Sequence, residues 1–173
     1  IEVVPPDGFI ITSVDQGDDL NDSDGDPTTG RTMITTLDSD EYDSTWDVGL
    51  LQPARIGDTV WLDANNNGVQ ETHEDGFPNV TVNLYTAGGT LIETTVTDTA
   101  GYYIFDDLLR GDYFVEVVRP DGYTYAKRNQ GSDDRMDSDA DTANGIMTTT
   151  TLEPGENDLS WDAGLSELAS LGD

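Results

Sequence analysis

Alternating apolar runs, turn residues between them and one long internal repeat predict an all-β fold, a two-sheet β-sandwich. The alternation is clearest where Val80, Val82 and Leu84 interleave with Thr81, Asn83 and Tyr85, the two-residue period of a half-buried strand. Ala87-Gly88-Gly89-Thr90 stands between two such runs as a hairpin turn. No segment sustains a helical period, and many short strands separated by turn signals indicate a sandwich.

The remaining strands follow in order. Within the longest stretch they are predicted over 56–62, 80–85, 91–97, 102–105, 113–118, 123–127, 146–152 and 158–163. Val3-Val4-Pro5-Pro6-Asp7-Gly8-Phe9 returns as Val117-Val118-Arg119-Pro120-Asp121-Gly122-Tyr123. Asn21-Asp22-Ser23-Asp24 returns as Met136-Asp137-Ser138-Asp139, and Thr45-Trp46-Asp47-Val48-Gly49-Leu50 returns as Ser160-Trp161-Asp162-Ala163-Gly164-Leu165. The period is about one domain length, so the array is one of beads on a string rather than a short-repeat solenoid. Residues 1–50 read as the C-terminal half of a preceding repeat, 51–54 as a linker, 55–165 as a complete repeat and 166–173 as a connector. Ile1 opens without Met in what reads as mid-strand, as expected of a segment of a longer protein. The front strands of the half-repeat are expected from upstream chain or from another molecule.

Charge narrows the function. Against 36 Asp and Glu stand 7 Lys and Arg, a formal net charge of −29. A polyanion gains nothing from nucleic acid, and anionic membrane surfaces are not expected as partners for the same reason. No apolar run is long enough to span a bilayer, and no signal peptide opens the chain. The chain has no cysteine, which excludes disulfide staples, thiolate zinc sites and cysteine nucleophiles. Hydrophobic residues make up 35%, enough for a modest core provided that cations relieve the self-repulsion.

A specific cation site is written in Asp63-Ala64-Asn65-Asn66-Asn67-Gly68-Val69-Gln70-Glu71-Thr72-His73-Glu74. Asp63, Asn65 and Asn67 place side-chain oxygens at loop positions one, three and five, and Gly68 takes the sharp turn at six. The Val69 carbonyl falls at seven, Glu71 at nine and a potentially bidentate Glu74 at twelve. Hard oxygens at these spacings are the EF-hand requirement for Ca2+. The competing reading is a polar Asn/Gly hairpin. Because strands rather than helices flank the loop, no opening sensor groove is expected.

Two acidic clusters add candidates: Asp133, Asp134, Asp137, Asp139 and Asp141, and their earlier copy Asp18, Asp19, Asp22, Asp24 and Asp26. Solvated charge runs are the usual meaning of such stretches. Here Asp22, Asp24 and Asp26 match Asp137, Asp139 and Asp141 in alternating spacing, which favours metal. The metal ligands expected in these clusters are Asp133, Asp137, Asp139 and Asp141, and Asp19, Asp22, Asp24 and Asp26, so that several calcium ions are bound. His73, the one histidine, is expected to be exposed and is assigned no chemistry. Trp46, Trp61 and Trp161 are expected to pack rather than to stack sugars.

Gly57-Asp58-Thr59-Val60-Trp61-Leu62-Asp63 followed by the Asn/Gly loop resembles the B repeats of serine–aspartate repeat surface adhesins. So do Asp75-Gly76-Phe77-Pro78-Asn79-Val80-Thr81-Val82, Thr97-Asp98-Thr99-Ala100-Gly101-Tyr102-Tyr103-Ile104-Phe105 and Gly111-Asp112-Tyr113. The resemblance covers nearly all of 55–165. It implies a Greek-key, prealbumin-like sandwich of the Cna-B type with calcium-binding loops, secretion and cell-surface display. It also implies a stalk that calcium stiffens to project a ligand-binding region. Related Cna-B domains often carry a Lys–Asn isopeptide bond; the one lysine, Lys127, lies late in the fold, and no such bond is expected.

The function expected is therefore a calcium-stabilised structural repeat of an extracellular fibre, filament or adhesin stalk. Its expected partners are neighbouring repeats of the same or an identical chain. The alternative is an adhesive module that recognises a host protein or carbohydrate through exposed loops. No enzymatic activity is expected: abundant acid pairs are accounted for by calcium, and no Ser/His/Asp set, phosphate loop or cofactor fingerprint is present.

Overall fold

A computed structural model describes residues 1–169; residues 170–173 of the expected connector lie outside the described residues. The chain divides between Pro53 and Ala54 into two units. The first contains β1 (Ile10–Ile11) and β2 (Leu50–Leu51), paired antiparallel. The second contains β3 (Ala54–Leu62), β4 (Thr81–Thr86), β5 (Leu91–Val96), β6 (Tyr102–Leu108), β7 (Gly111–Val118), β8 (Tyr123–Tyr125), β9 (Thr150–Leu152), β10 (Asn157–Asp158) and β11 (Ala163–Glu167). Among the described residues there is no helix.

The second unit is a two-sheet sandwich. In one sheet β5, β4, β7 and β9 lie side by side. In the other, β3 pairs antiparallel with β6 on one side and parallel with β10 and β11 on the other, and β11 pairs with β8. The parallel register Val60↔Ala163, Trp61↔Gly164 and Leu62↔Leu165 joins the first strand of the unit to the last. Alternation sends Val82 and Leu84 of β4, Val115 and Val117 of β7, Tyr103 and Phe105 of β6, and Ile56 and Val60 of β3 into one core. The predicted period-two reading of 80–85 matches: Val80, Val82 and Leu84 are buried, and their neighbours Thr81, Asn83 and Tyr85 are half-buried.

Three predicted strands fall short of their sequence ranges by two residues or more. Only Thr150–Leu152 of 146–152 forms a ladder; Ile146 makes a single bridge to Glu116. Over 123–127 the ladder stops at Tyr125, although the Ala126 N–H still donates to Gly164 O at 2.8 Å. Most of 158–163 falls in the gap between β10 and β11. Side chains replace ladder bonds there: the Trp161 indole donates back to Asp158 (2.7 Å), and the Asp162 carboxylate accepts the Thr59 N–H (3.1 Å).

The first unit repeats the later half of the second bond for bond. The register Ile11↔Leu50 reproduces Tyr125↔Leu165. Trp46 Nε1 donates to Asp43 at 2.7 Å as Trp161 does to Asp158, and Gly49 N donates to Ser23 Oγ (3.3 Å) as Gly164 N does to Ser138 Oγ (3.2 Å). Gly30 and Gly145 hold φ of 69° and 77° at matching positions. A Cβ on either would come within about 2.3 Å of a carbonyl, Val3 O or Val117 O, so both positions require glycine. Local sequence therefore writes this scaffold twice.

What differs is the core. Leu152 is 0% exposed, whereas its counterpart Leu37 is 57% exposed. Leu152→Ala is expected to lower the stability of the second unit by about 2–5 kcal/mol, and Leu37→Ala to change stability by less than about 0.5 kcal/mol. Urea unfolding of the two variants measures both.

Candidate metal centre

The Asp63–Glu74 loop leaves β3 at Leu62 and is pinned at its root by the opposite end of the sandwich sequence. Asp63 N donates to Leu165 O (3.0 Å), Ser166 Oγ donates to Asp63 O (2.7 Å), and Leu62 N donates to Asp75 O (2.9 Å). Asn66 (φ 55°) and Gly68 (φ 83°) turn the chain sharply. Glycine is required at 68, because a Cβ would meet Lys127 O at 2.1 Å.

Within this loop every expected side-chain ligand turns toward its neighbours. Asp63 is fully buried and accepts from Gly68 N (2.8 Å) and Asn67 N (3.2 Å). Asn65 Oδ1 accepts from Asn67 N, and Asn67 Oδ1 accepts from Val69 N. Glu74, also buried, accepts from Ala64 N (2.9 Å) and Glu71 N (3.2 Å), closing the loop across its ends. The Asn67 and Asn65 amides both donate to Glu71 (2.6 and 3.2 Å). The Asn67 bond, first, holds the Glu71 carboxyl below the ordinary range. The oxygen donors are thus held in place by hydrogen bonds within the loop, and oxygen donors suit a hard cation such as calcium. Glu71 and Glu74 also approach His73, whose side chain is exposed.

The acidic loop of the second unit is hydrogen-bonded directly to this one. Val69 bridges Asp137, Gln70 N donates to Met136 O (2.7 Å), and Ser138 N donates to Gly68 O (3.1 Å). Oxygens of Asp134, Asp137 and Asp139 come within 4.8 Å of one another. Asp137 and Asp139 belong to the expected set, and Asp134 takes the place given to Asp133 and Asp141. Those two are turn residues: Asp133 accepts from Arg135 N, and Asp141 accepts from Ala143 N.

In the first unit the grouped oxygens belong to Asp15, Asp22 and Asp24. Asp26 caps its own turn by accepting from Thr28 N, Thr29 N and the Thr29 hydroxyl. Asp19 and Asp26 line the same cleft as Asp15 and Asp24. Asp15 escaped the sequence reading because it precedes the acidic run. Its signal was positional: Asp15 and its repeat counterpart Asn129 share left-handed φ values of 52° and 50°.

Burial of like charges is the dominant electrostatic feature. Burial pushes the Asp139 carboxyl up to about 7, with Asp137 and Asp134 adding repulsion, and pushes Asp162 up to about 9, with Asp58 and Asp139 adding theirs. Asp137 is raised by burial and by Asp134 and Asp133. Three buried polar atoms among the described residues have no hydrogen-bond partner: Trp61 Nε1, Asp137 Oδ1 and Asp162 Oδ2. Asp58 and Asp162 were also missed. Asp162 stood in the repeated Trp-Asp-x-Gly-Leu motif, where it served only as a marker of the repeat.

These shifts set a pH dependence. The folded state holds the Asp139 and Asp162 protons more tightly than the unfolded chain does. Their contribution is therefore complete below the ordinary carboxylate range and is lost as pH rises through about 7 and about 9. In chelator, the urea midpoint is expected to fall between about pH 5 and about pH 9, and added calcium to flatten that slope.

The family model for the SdrD B-like domain matches residues 1–50 and 54–165. Serine-aspartate repeat-containing protein F of Staphylococcus epidermidis is 39% identical over 177 residues, covering 100% of this chain and 10% of that protein. Serine-aspartate repeat-containing protein D of Staphylococcus aureus (strain MW2) is 38% identical over 177 residues, covering 100% and 12%. The chain thus spans about a tenth of the length of these relatives. Among solved structures, a minor pilin of Streptococcus agalactiae aligns with a TM-score of 0.45 at 12% identity, over 79% of this chain and 60% of that one. The Bacillus anthracis TIE protein aligns at 0.38 and 14%, over 71% and 22%. By the match of both of its units, the chain belongs to the SdrD B-like domain family.

Proposed function

We propose that this chain is a calcium-stabilised structural repeat of a long extracellular, cell-surface fibre, filament or adhesin stalk. The observation that carries the reading is the Asp63–Glu74 loop, whose oxygen donors are assembled and hydrogen-bonded to the Asp134–Asp137–Asp139 group. Calcium at these sites supplies the positive charge that a chain of net charge −29 lacks. Ion binding and folding are then coupled, because the carboxylates are brought together without repulsion only when loaded. Extracellular modules of modest affinity fill at submillimolar to millimolar calcium. The module's role is mechanical: loops that repel when empty become fixed when loaded, and neighbouring repeats of the same or an identical chain are its partners.

One observation favours the adhesive reading as a second role. On the outer face of the β5–β4–β7–β9 sheet, Tyr85 and Phe114 stack at 5.0 Å and 10°, and Glu116 accepts from Tyr85 and Asn83. Val96 and Val118 stand exposed on the same face, a mixed surface of the kind that proteins recognise.

Calcium at a hundred times its dissociation constant stabilises by about 2.7 kcal/mol, or roughly 10 °C or more for a domain of about 100 residues. Thermal unfolding in calcium is expected to exceed that in chelator by such a margin, and Glu74→Gln to remove a large part of the gain. An identical transition in both buffers contradicts the proposal.

A further inference from the structure

The four-stranded sheet ends at β5 (Leu91–Val96), which among the described residues pairs with β4 alone. Thr97 N donates to Val80 O at 2.9 Å, and the peptide groups of an antiparallel strand alternate in direction. Those of Thr94 and Val96 therefore face away from β4, toward open solvent. Five of the six β5 residues are exposed, among them Leu91, Ile92 and Val96 at 52%, 44% and 56%.

Open edges are ordinarily blunted by Lys, Pro, short length or distorted backbone. The other edges of this sandwich follow that rule. β8 and β9 have three residues each, and β6 carries Asp106 and Asp107, the latter at a φ of 55°. β5 has neither Lys nor Pro, and Glu93 is the one charged side chain between Pro78 and Thr97. Two copies of a chain of net charge −29 repel each other. That repulsion is weakest where charge is this sparse.

We infer that the β5 edge is a self-association surface, on which β5 of a second copy pairs antiparallel about a two-fold axis at Thr94. Opposed residues must both turn their peptide groups to the seam, so only alternate registers are open to Thr94 and Val96. Setting Glu93 opposite Glu93 brings two like charges face to face, which destabilises a strand pair. Setting Thr95 opposite Thr95 places Ile92 against Asp98. Setting Thr94 opposite Thr94 places Ile92 against Val96 twice, and Glu93 against Thr95 twice. Only that last register matches apolar with apolar and separates the carboxylates. The two four-stranded sheets then form one continuous sheet, and the isologous contact closes as a dimer. No residue of β5 belongs to the Asp63–Glu74 loop or the acidic loop, so the pairing stands apart from the calcium reading. It adds a side-by-side contact to the end-to-end one between repeats.

Sedimentation velocity on the full chain tests this at about 0.15 M salt, where charge is screened beyond about 8 Å. A reversible monomer–dimer equilibrium is expected at protein concentrations up to about 1 mM. Val96→Glu, at an exposed position, should weaken the dimer about tenfold while leaving the melting temperature of the monomer unchanged. Because the chain has no cysteine, single cysteines read the register. Thr94→Cys would set the paired Cα atoms about 5.5 Å apart, within disulfide reach. Thr90→Cys, also exposed, would lie about 27 Å from its copy along the seam, at about 3.4 Å per residue. Mild oxidation should link the first variant and not the second. A monomer at every concentration, a dimer indifferent to Val96→Glu, or equal cross-linking of the two cysteine variants overturns the inference.

Discussion

The arrangement of this molecule turns on one constraint: its carboxylates must be held close together while a compact sandwich forms. Asp63, Glu74, Asp137, Asp139 and Asp162 are all buried, in a chain with 36 acidic and 7 basic residues. Burial removes the water that screens like charges from one another. Protons relieve the repulsion only up to the pH at which the carboxyls release them, about 7 for Asp139 and about 9 for Asp162, and the arginine ion pairs among the described residues lie elsewhere. In the proposed reading a divalent ion takes over that role where the protons are lost.

That constraint explains why the loops are built as they are. β3 carries Asp58 and runs directly into Asp63, so one rigid strand positions both carboxylates. β11 pairs with β3 in parallel and is preceded by Asp162, and its Leu165 carbonyl receives the Asp63 N–H. The acidic loop is held between them, bonded to Gly68 on one side and to Asp162 on the other. Hydrophobic packing fixes the strands, and the strands bring the charges together. Trp61 marks the join. It alternates with Val60, lies outside the main core cluster, and is fully buried against Gly164 and Ala126.

Much of this was legible in the residues. The two-residue alternation of Val80–Tyr85 located β4 to within a residue, and the repeated Val-Val-x-Pro-Asp-Gly and Trp-Asp-x-Gly-Leu motifs mark segments that fold with matching hydrogen bonds. The Asp63–Glu74 spacing identified a closed loop because its ligands are local in sequence. Residues brought together by topology were not legible. Asp58 and Asp162 lie at opposite ends of the repeat and meet only through the parallel pairing of β3 with β11. Asp15 was missed because it precedes its acidic run, and Asp134 was seen but not chosen, because within such a run spacing cannot tell a residue that joins a cluster from a turn residue such as Asp26 or Asp141.

Amide hydrogen exchange resolves the central claim residue by residue, because it reads loop and core separately. In calcium, the N–H groups of Gly68, Ser138 and Asp162 are expected to be protected to nearly the same degree as those of Val82 and Val115. In chelator, protection at Gly68, Ser138 and Asp162 should collapse while Val82 and Val115 remain protected. Equal protection of the loop amides with and without calcium contradicts the account.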